Sequence, residues 1–522
     1  MSAFYITTAI EYANGEPHLG HAFEKIGADA IARYRRLRGD AVHLLAGTDD
    51  HGLKVARAAQ AAGRTPHEQA DHISAAFRRT WDRLGIGYDR FARTSSPGHA
   101  AGVRAIIERI LARHPDAFYE KAYEGWYCVG CESFRTAREL DDGRCAIHPS
   151  LDIEPVAESN WFFRLSAFQE PLTAFLRGNP CFVQPATRYN EILSLLERGL
   201  EDISITRASL DWGIPFPIPD SRSRHQTIYV WFDALPSYLT ATGFPEAQDG
   251  AAWPAQVHVI GKDITRFHCV LWPAVLYAAG LPLPERVWAH GFVTANGTRL
   301  SKSGGAWIDL DEAIDRHGVD ALRYFLLREI PFDADGDFSW HRFDSRYTAD
   351  LANTLGNLTS RLAALIVRHC PDSRVPSLAS GERARAGAGA RPVSEAIEEA
   401  ARRTATALER YVSAFDAFRP HEAIEAVLDA LAAGNELITR TAPWALAAEP
   451  SRRGDFERVI AAATTLLVRQ AVLLSPVIPV TAERLWQSLG GPGSVHDQRI
   501  ACLSELDPAG WHVTRTPALF PR

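Results

Sequence analysis

Phe4-Tyr5-Ile6-Thr7-Thr8-Ala9-Ile10, then Asn14-Gly15-Glu16-Pro17, then His18-Leu19-Gly20-His21, is the stretch on which the fold turns. Its first seven residues are mostly β-branched or aromatic and read as a short strand. The Asn-Gly-Glu-Pro tetrad is loop chemistry. Beyond it Phe23, Ile26, Ala30 and Ile31 recur at three- and four-residue spacing, which predicts a helix. A strand, a loop and a helix in that order gather the histidines and backbone N–H groups at a helix N-terminus, where a polyphosphate is well placed.

Outward from this unit the alternation continues. Ala41–Ala46 reads as a second apolar strand, ending at Gly47-Thr48-Asp49-Asp50-His51-Gly52. Ile228–Phe232, Val257–Ile260 and Val287–Ala289 are further β-type runs separated by helical segments. Such alternation predicts a parallel sheet with crossover helices. Between the two groups, from Pro115 to Pro219, the pattern breaks into Gly, Pro, Cys and aromatic residues, as an inserted domain would. From about Arg346 strand signals vanish, and Leu351–Val367, Val393–Leu408, Pro420–Ile438, Asp455–Leu474 and Val480–Leu489 carry helical spacing. The expected division is 1–114 and 220–345 as two halves of an α/β domain, 115–219 as the insertion, and 346–522 as an all-α bundle.

The 522 residues exceed one hydrophobic core, and 46% apolar with 23% charged residues is ordinary globular composition. A net charge of −7 excludes the global basic excess of a non-specific nucleic-acid binder, though not local arginine patches. There is no 18-residue apolar run and no secretory signal pattern at Met1–Ile6, so a cytoplasmic protein without membrane contact is expected. Only five of the 56 basic residues are lysine: Lys25, Lys54, Lys121, Lys262 and Lys302. Where arginine has replaced lysine almost everywhere, a surviving lysine marks a position suited to a compact ammonium. Methionine is rarer still, with Met1 alone.

Three of the seven cysteines cluster. Cys128 and Cys131, then Cys145 and His148 after thirteen intervening residues, form Cys-x2-Cys-x13-Cys-x2-His. Three thiolates and an imidazole are the tetrahedral set of a closed structural Zn²⁺ site, in the one region without a periodic core. A zinc knuckle over about 123–150 is therefore expected. Far downstream, Thr298-Arg299-Leu300-Ser301-Lys302-Ser303-Gly304-Gly305 is a loop suited to closing on a triphosphate.

Paired, the His18–His21 segment and the Lys302 loop resemble the HIGH and KMSKS signatures of class I aminoacyl-tRNA synthetases. Further segments narrow the resemblance to the methionyl-tRNA synthetase family: Thr7–Ile10 into Tyr12–Gly15, Gly47–Gly52, Tyr229–Ala234, Gly261–Ile264 with Phe267-His268, His290–Phe292, Asp320–Phe325 and Pro443-Trp444. The resemblance spans nearly the whole chain and implies a Rossmann-type catalytic domain, a zinc-knuckle connective lobe in single-zinc form and a helical anticodon-binding domain. It implies activation of methionine with ATP and Mg²⁺, then transfer to tRNA(Met). His18, His21 and Lys302 would act on the phosphates, with Asn14, Gly20, Asp263, Gly291, Ser301 and Ser303 around ATP. Ile10, Tyr12, Asp49, Trp231, Ala234, Leu235, Tyr238, Phe267 and His268 match the methionine pocket, Asp49 pairing with the ammonium. Asn435 and Trp486 are candidate anticodon readers, and the C-terminus lacks an OB-type extension, so a monomer is expected.

Two departures stand out. Arg299 and Leu300 replace Lys and Met of the loop signature, and Glu11 stands beside the pocket where proline or an aromatic is expected. A carboxylate there either disturbs methionine binding or faces solvent, and it invites the rival reading of a paralogue that activates an unusual amino acid for a biosynthetic pathway, or of an inhibitor-insensitive duplicate. A second rival is a catalytically dead tRNA- or protein-binding module, which would have no use for the His18/His21 pair and the Lys302 loop. Leucine, isoleucine and valine enzymes carry an editing insertion too large for this length.

Overall fold

The structure is a computed structural model describing residues 2–128, 133–135, 140–145, 152–208, 210–218, 226–246, 252–295, 297–299, 308–377, 391–515 and 517–521. The first part of the chain runs β1 (Ala3–Thr8), β2 (Glu11–Tyr12), α1 (Leu19–Arg38), β3 (Ala41–Asp49), α2 (Leu53–Ala61), α3 (Pro66–Arg83), β4 (Arg90–Arg93) and α4 (Pro97–Arg113). β1 and β3 join a wholly parallel sheet ordered Val183–Gln184, Val287–His290, Val257–Gly261, β1, β3, with β2 and β4 both pairing on β3. Strand alternation sends Phe4 and Ile6 to one face and Tyr5 to the other. Both faces are covered, as a parallel sheet requires. The face of Phe4 and Ile6 shares one continuous core with α1 and the helical half as far as Leu467 and Trp486. The face of Tyr5 and Leu45 packs on α4, Phe163 and Trp272.

Two short elements depart from expectation. Of Ile228–Phe232, only Ile228 lies in a strand, Thr227–Ile228, while Val230–Ala234 is helical. A buried five-residue apolar run has no periodicity by which to tell strand from helix. Val183–Gln184 falls within 115–219 yet forms the edge of the central sheet, a two-residue strand too short to show a period. The rest of that segment is built on an antiparallel sheet in which Phe118–Cys128 pairs with Ile153–Phe163 over eleven registered positions.

Past Phe338 the described residues contain no further strand. A π-helical run, Tyr347–Gly356, continues as Asn357–His369, followed by helices Arg391–Asp416, Pro420–Thr441, Arg453–Leu474 and Pro479–Ser488. No described helix is long and apolar enough to cross a membrane. The helical half is tied to α1 by Arg323, which has no exposed surface. Its guanidinium donates to Asp29 of α1 (2.6 Å), Leu84 O (3.2 Å), Pro476 O (3.1 Å) and Val477 O (2.9 Å). Against the burial that would raise it, Arg33 and Arg323 hold the Asp29 carboxyl below its ordinary value.

Candidate active site

Strands β1 and Val257–Gly261 are neighbours, and the chain leaves them in opposite directions across the sheet. That is a topological switch point, where a crevice opens beyond the carboxyl ends of the strands. Into it projects the start of α1. His18 is the N-cap, and its Nδ1 accepts from the N–H groups of Gly20 (3.1 Å) and His21 (3.4 Å). His21 Nδ1 accepts in return from the His18 N–H at 3.4 Å. The capping box is thus made of two histidines, their rings stacked at 3.6 Å. Because both Nδ1 atoms accept, each neutral ring carries its proton on Nε2. Burial, with His18 and Lys25 nearby, keeps His21 well below the usual imidazole range.

On the other side of the crevice lies an aromatic wall. Trp231 and Phe267 stack in parallel at 4.0 Å, with His268 edge-on to Trp231 at 6.2 Å. Phe267–Leu271 is π-helical, a one-residue expansion frequent at functional sites. His268 Nε2 meets Tyr238 Oη at 2.7 Å and its Nδ1 meets Ile264 O at 3.1 Å. The carbonyl can only accept, so Nδ1 carries the hydrogen and Nε2 accepts from Tyr238. Burial lowers His268 to about 4 and so keeps it neutral. Ala234 and Leu235 are buried beside Tyr238, and Ile10 and Tyr12 flank the bend after β1. Asp49, 4% exposed, ends β3 opposite Tyr12 in register, and Lys54 lies 5.3 Å over the Tyr12 ring.

The nucleotide side follows Val257–Gly261 and Val287–His290. Asp263 is exposed just past the first of these. A Cβ on Gly291 would lie 2.0 Å from Ala334 O, so only glycine fits this close backbone approach. Asn14 is exposed in the loop before α1, and Gly20 lies in its first turn. Lys302, Ser301 and Ser303 lie outside the described residues, as do Cys131 and His148. The other two proposed zinc ligands, Cys128 and Cys145, are buried thiols at the ends of Phe118–Cys128 and Arg144–Cys145. Among the described residues no group of three or more metal-binding side chains occurs.

Three sequence expectations change. Glu11 is buried and ion-paired with Lys25, so it neither faces solvent nor presents a bare carboxylate. Trp486 is fully buried, donates its indole N–H to Pro492 O (3.2 Å) and packs on Trp511, leaving no face for a base. Asn435 turns its amide N–H groups to Thr354 O and Leu431 O within the bundle. Conversely, Asp233 is a buried polar centre whose role its sequence position does not reveal. Fully buried, it accepts from His51 Nδ1 (2.6 Å) and His99 Nε2 (2.7 Å), two residues past Trp231 on the same short helix. His51 and Asp233 both stood inside quoted motifs. His99 carried no local signal.

A switch-point crevice with a histidine-capped helix start and an aromatic stack accords with a class I aminoacyl-tRNA synthetase, and the match to that family's model shows the class. Residues 4–150 and 136–363 match the family described as "tRNA synthetases class I (M)", and residues 398–513 match "Anticodon-binding domain of tRNA ligase". The chain belongs to the methionyl-tRNA synthetase family. It is 41% identical to the methionine–tRNA ligase of Brucella suis over 99% of this chain and 98% of that one. With the Streptomyces coelicolor methionine–tRNA ligase the identity is 38%, covering 100% and 96%. The Mycobacterium tuberculosis methionyl-tRNA synthetase in complex with methionyl-adenylate superposes with a TM-score of 0.92 at 37% identity, covering both chains completely. Its apo form gives 0.85 at 34% identity, covering 100% of this chain and 98% of that one.

Proposed function

We infer that the chain activates methionine with ATP to methionyl-adenylate and pyrophosphate, then transfers the methionyl group to the 3′-terminal adenosine of tRNA(Met). The observation that carries this reading is the placing of the histidine-capped start of α1, Asp49 at the end of β3 and the Trp231–Phe267 stack after Val257–Gly261 on neighbouring strands at the switch point.

In the first step the methionine carboxylate attacks the α-phosphorus and the bond to the pyrophosphate oxygen breaks, so no covalent enzyme intermediate is formed. The protein therefore acts by positioning and by stabilising phosphate charge. The proposed roles rest on the family resemblance and, for the two histidines, also on the capping geometry. His18 and His21, with Nδ1 engaged in capping, turn Nε2–H donors toward phosphate oxygens. The positive end of the α1 dipole adds to this field. Lys302, with Ser301 and Ser303, closes over the triphosphate, Asp263 and Gly291 hold ribose and adenine, and Asn14 and Gly20 line the loop side. Mg²⁺ accompanies ATP as counter-ion to its phosphates.

Asp49 pairs with the substrate ammonium. Tyr238 and His268 satisfy one another, so the pocket they form with Ile10, Tyr12, Trp231, Ala234, Leu235 and Phe267 offers mainly apolar surface to the thioether. One Zn²⁺ held by Cys128, Cys131, Cys145 and His148 fits the donor chemistry and the burial of the two described thiols, and supplies a staple to the inserted lobe. The proposed division is a catalytic domain over 1–114 and 220–345, a connective lobe over 115–219 and an anticodon-binding domain over 346–522, working as a cytoplasmic monomer.

Methionine-dependent ATP–pyrophosphate exchange, run across a panel of amino acids, followed by charging of initiator and elongator tRNA, tests the reading. Exchange with methionine and charging of both tRNAs are expected. Exchange only with another amino acid would refute it, and none with any amino acid would leave a binding module.

A further inference from the structure

Beneath the methionine pocket lies a buried charge cluster that the reaction as described does not use. Strand alternation turns Glu11 away from Ile10 and Tyr12, toward α1. There it pairs with Lys25, at 5% and 0% exposure respectively. The Lys25 ammonium has three donors and three oxygen partners: Glu11, Glu24 Oε1 (2.8 Å) and Ala9 O (2.8 Å). Glu24 Oε1 also accepts the Ala9 N–H at 3.0 Å. The peptide groups at the end of β1 are thus held from α1 by a donor and an acceptor at once. Glu24 Oε2 reaches His290 Nε2 at 2.9 Å, and His290 Nδ1 lies 2.7 Å from Gly291 O. The remaining oxygen of Glu11, Oε2, is buried with no hydrogen-bond partner among the described residues.

We propose that Glu11 and Lys25 are positioning residues: their pair fixes the bend carrying Ile10 and Tyr12 against α1 and, through Glu24 and His290, against Gly291 on the nucleotide side. The proposal rests on the site assignment above. It accounts for both unusual residues at once: Glu11 would be a buried uncompensated charge without Lys25, and Lys25 without Glu11 would keep only Glu24, a carboxylate it shares with His290. Two carboxylates share one ammonium, so one of them is readily protonated. Burial, opposed by Lys25 and reinforced by Glu24, pushes Glu11 up to about 7. Glu24, which burial alone would raise, is held at about 2 by Lys25 and His290. The other groups around Glu11 are Asp49 on β3, Tyr238, which feels both glutamates and is raised well above the phenol range by burial, and His21, which feels Lys25 and stays neutral. Below neutrality Glu11 therefore takes up a proton, the pair loses its charge on one side, and the bend is released.

The test is steady-state exchange kinetics from pH 6 to 9, with calorimetric binding of methionine alone, on the full chain and on Glu11→Gln, Lys25→Met and the double variant. For Glu11→Gln, the KM for methionine is expected to rise about tenfold at pH 8 with kcat within about threefold, because ground-state positioning is lost. The acid-side fall in kcat/KM for methionine, centred near 7 in the unmodified chain, should vanish in this isosteric variant. Lys25→Met alone should be worse, and the double variant should recover part of the loss, so that the two effects do not multiply. If Lys25→Met fails to fold, Glu11→Gln carries the decision by its pH profile. An unchanged KM and an unchanged acid limb in Glu11→Gln would overturn the proposal, as would losses that multiply in the double variant. An unmodified chain that binds methionine but catalyses no exchange refutes the activity and still tests the pair by binding. Absence of methionine binding overturns both.

Discussion

Asp233 has no surface of its own and is shared by two histidines, so its charge is compensated only from within the fold. Burial would raise it, but His51 and His99 hold it below the carboxylate range, while Asp233 raises His51 against burial. The Asp233 contribution to stability is present above the ordinary carboxylate value and is lost as pH falls through the depressed one. The His51 contribution is present below the ordinary imidazole value and is lost as pH rises through the raised one. Asp233→Asn should therefore cost about 3–5 kcal/mol near pH 6 and less at pH 9, measured by urea unfolding at both. The pocket's lining leads to a second expectation. Apolar contact distinguishes side chains differing by one methylene only weakly. Homocysteine and norleucine should therefore support measurable pyrophosphate exchange, and no exchange with either beside full activity on methionine would contradict the pocket as described.

At the scale of elements, α1 is the organising piece. Its N-terminus faces the crevice, its middle packs so closely that a Cβ on Gly27 would lie 2.2 Å from the Phe332 ring, and Asp29 receives Arg323 from the junction with the helical half. Arg323→Met would leave the Pro476, Val477 and Leu84 carbonyls without that donor and Asp29 with Arg33 and the Gly87 N–H. A loss of about 3–5 kcal/mol is expected on denaturation. Charging of tRNA should fall further than pyrophosphate exchange, because the helical half is held through these bonds while the crevice is not. The helix itself was plain in the sequence from Phe23, Ile26, Ala30 and Ile31. Its partner Phe332 was not, since contact between residues 27 and 332 leaves no trace in the local pattern. The misread Ile228–Phe232 and the unforeseen edge strand Val183–Gln184 fail for a related reason: both are too short for a period, and tertiary packing decides them.

At the scale of the whole molecule, one core joins the sheet to the helical half, and the inserted lobe shares the core of the opposite face through Phe118 and Phe163 while its Cys128 end lies on a separate antiparallel sheet. That end of the lobe is therefore the part whose order should depend on metal. About one Zn²⁺ per chain is expected by atomic absorption. Its removal with a strong chelator, or Cys128→Ser, should raise proteolytic cleavage within 115–219 while leaving the far-ultraviolet signal of the helical half nearly unchanged. Cleavage that spreads to the helical half would contradict this separation. The lysine count also gains meaning here. Lys25 is the buried centre of a charge cluster, Lys54 covers the Tyr12 ring and Lys262 pairs with Asp335 at 2.7 Å. Of the lysines whose surroundings are described, only Lys121 lies away from the crevice, in the inserted lobe.

By itself the sequence determined the alternation of strand and helix, the helical second half, the histidine pair at a helix start and the family to which these belong. All are written in local period or in short motifs, where neighbours in the chain are neighbours in space. Only the tertiary structure decided what Glu11 does, that Trp486 is core, and that His99 joins His51 on Asp233. Those outcomes depend on which side chain lies opposite across a packed interface. A buried charge is tolerable or not according to a partner that may stand fourteen residues away, as Lys25 does, or more than a hundred, as Asp233 does from His99.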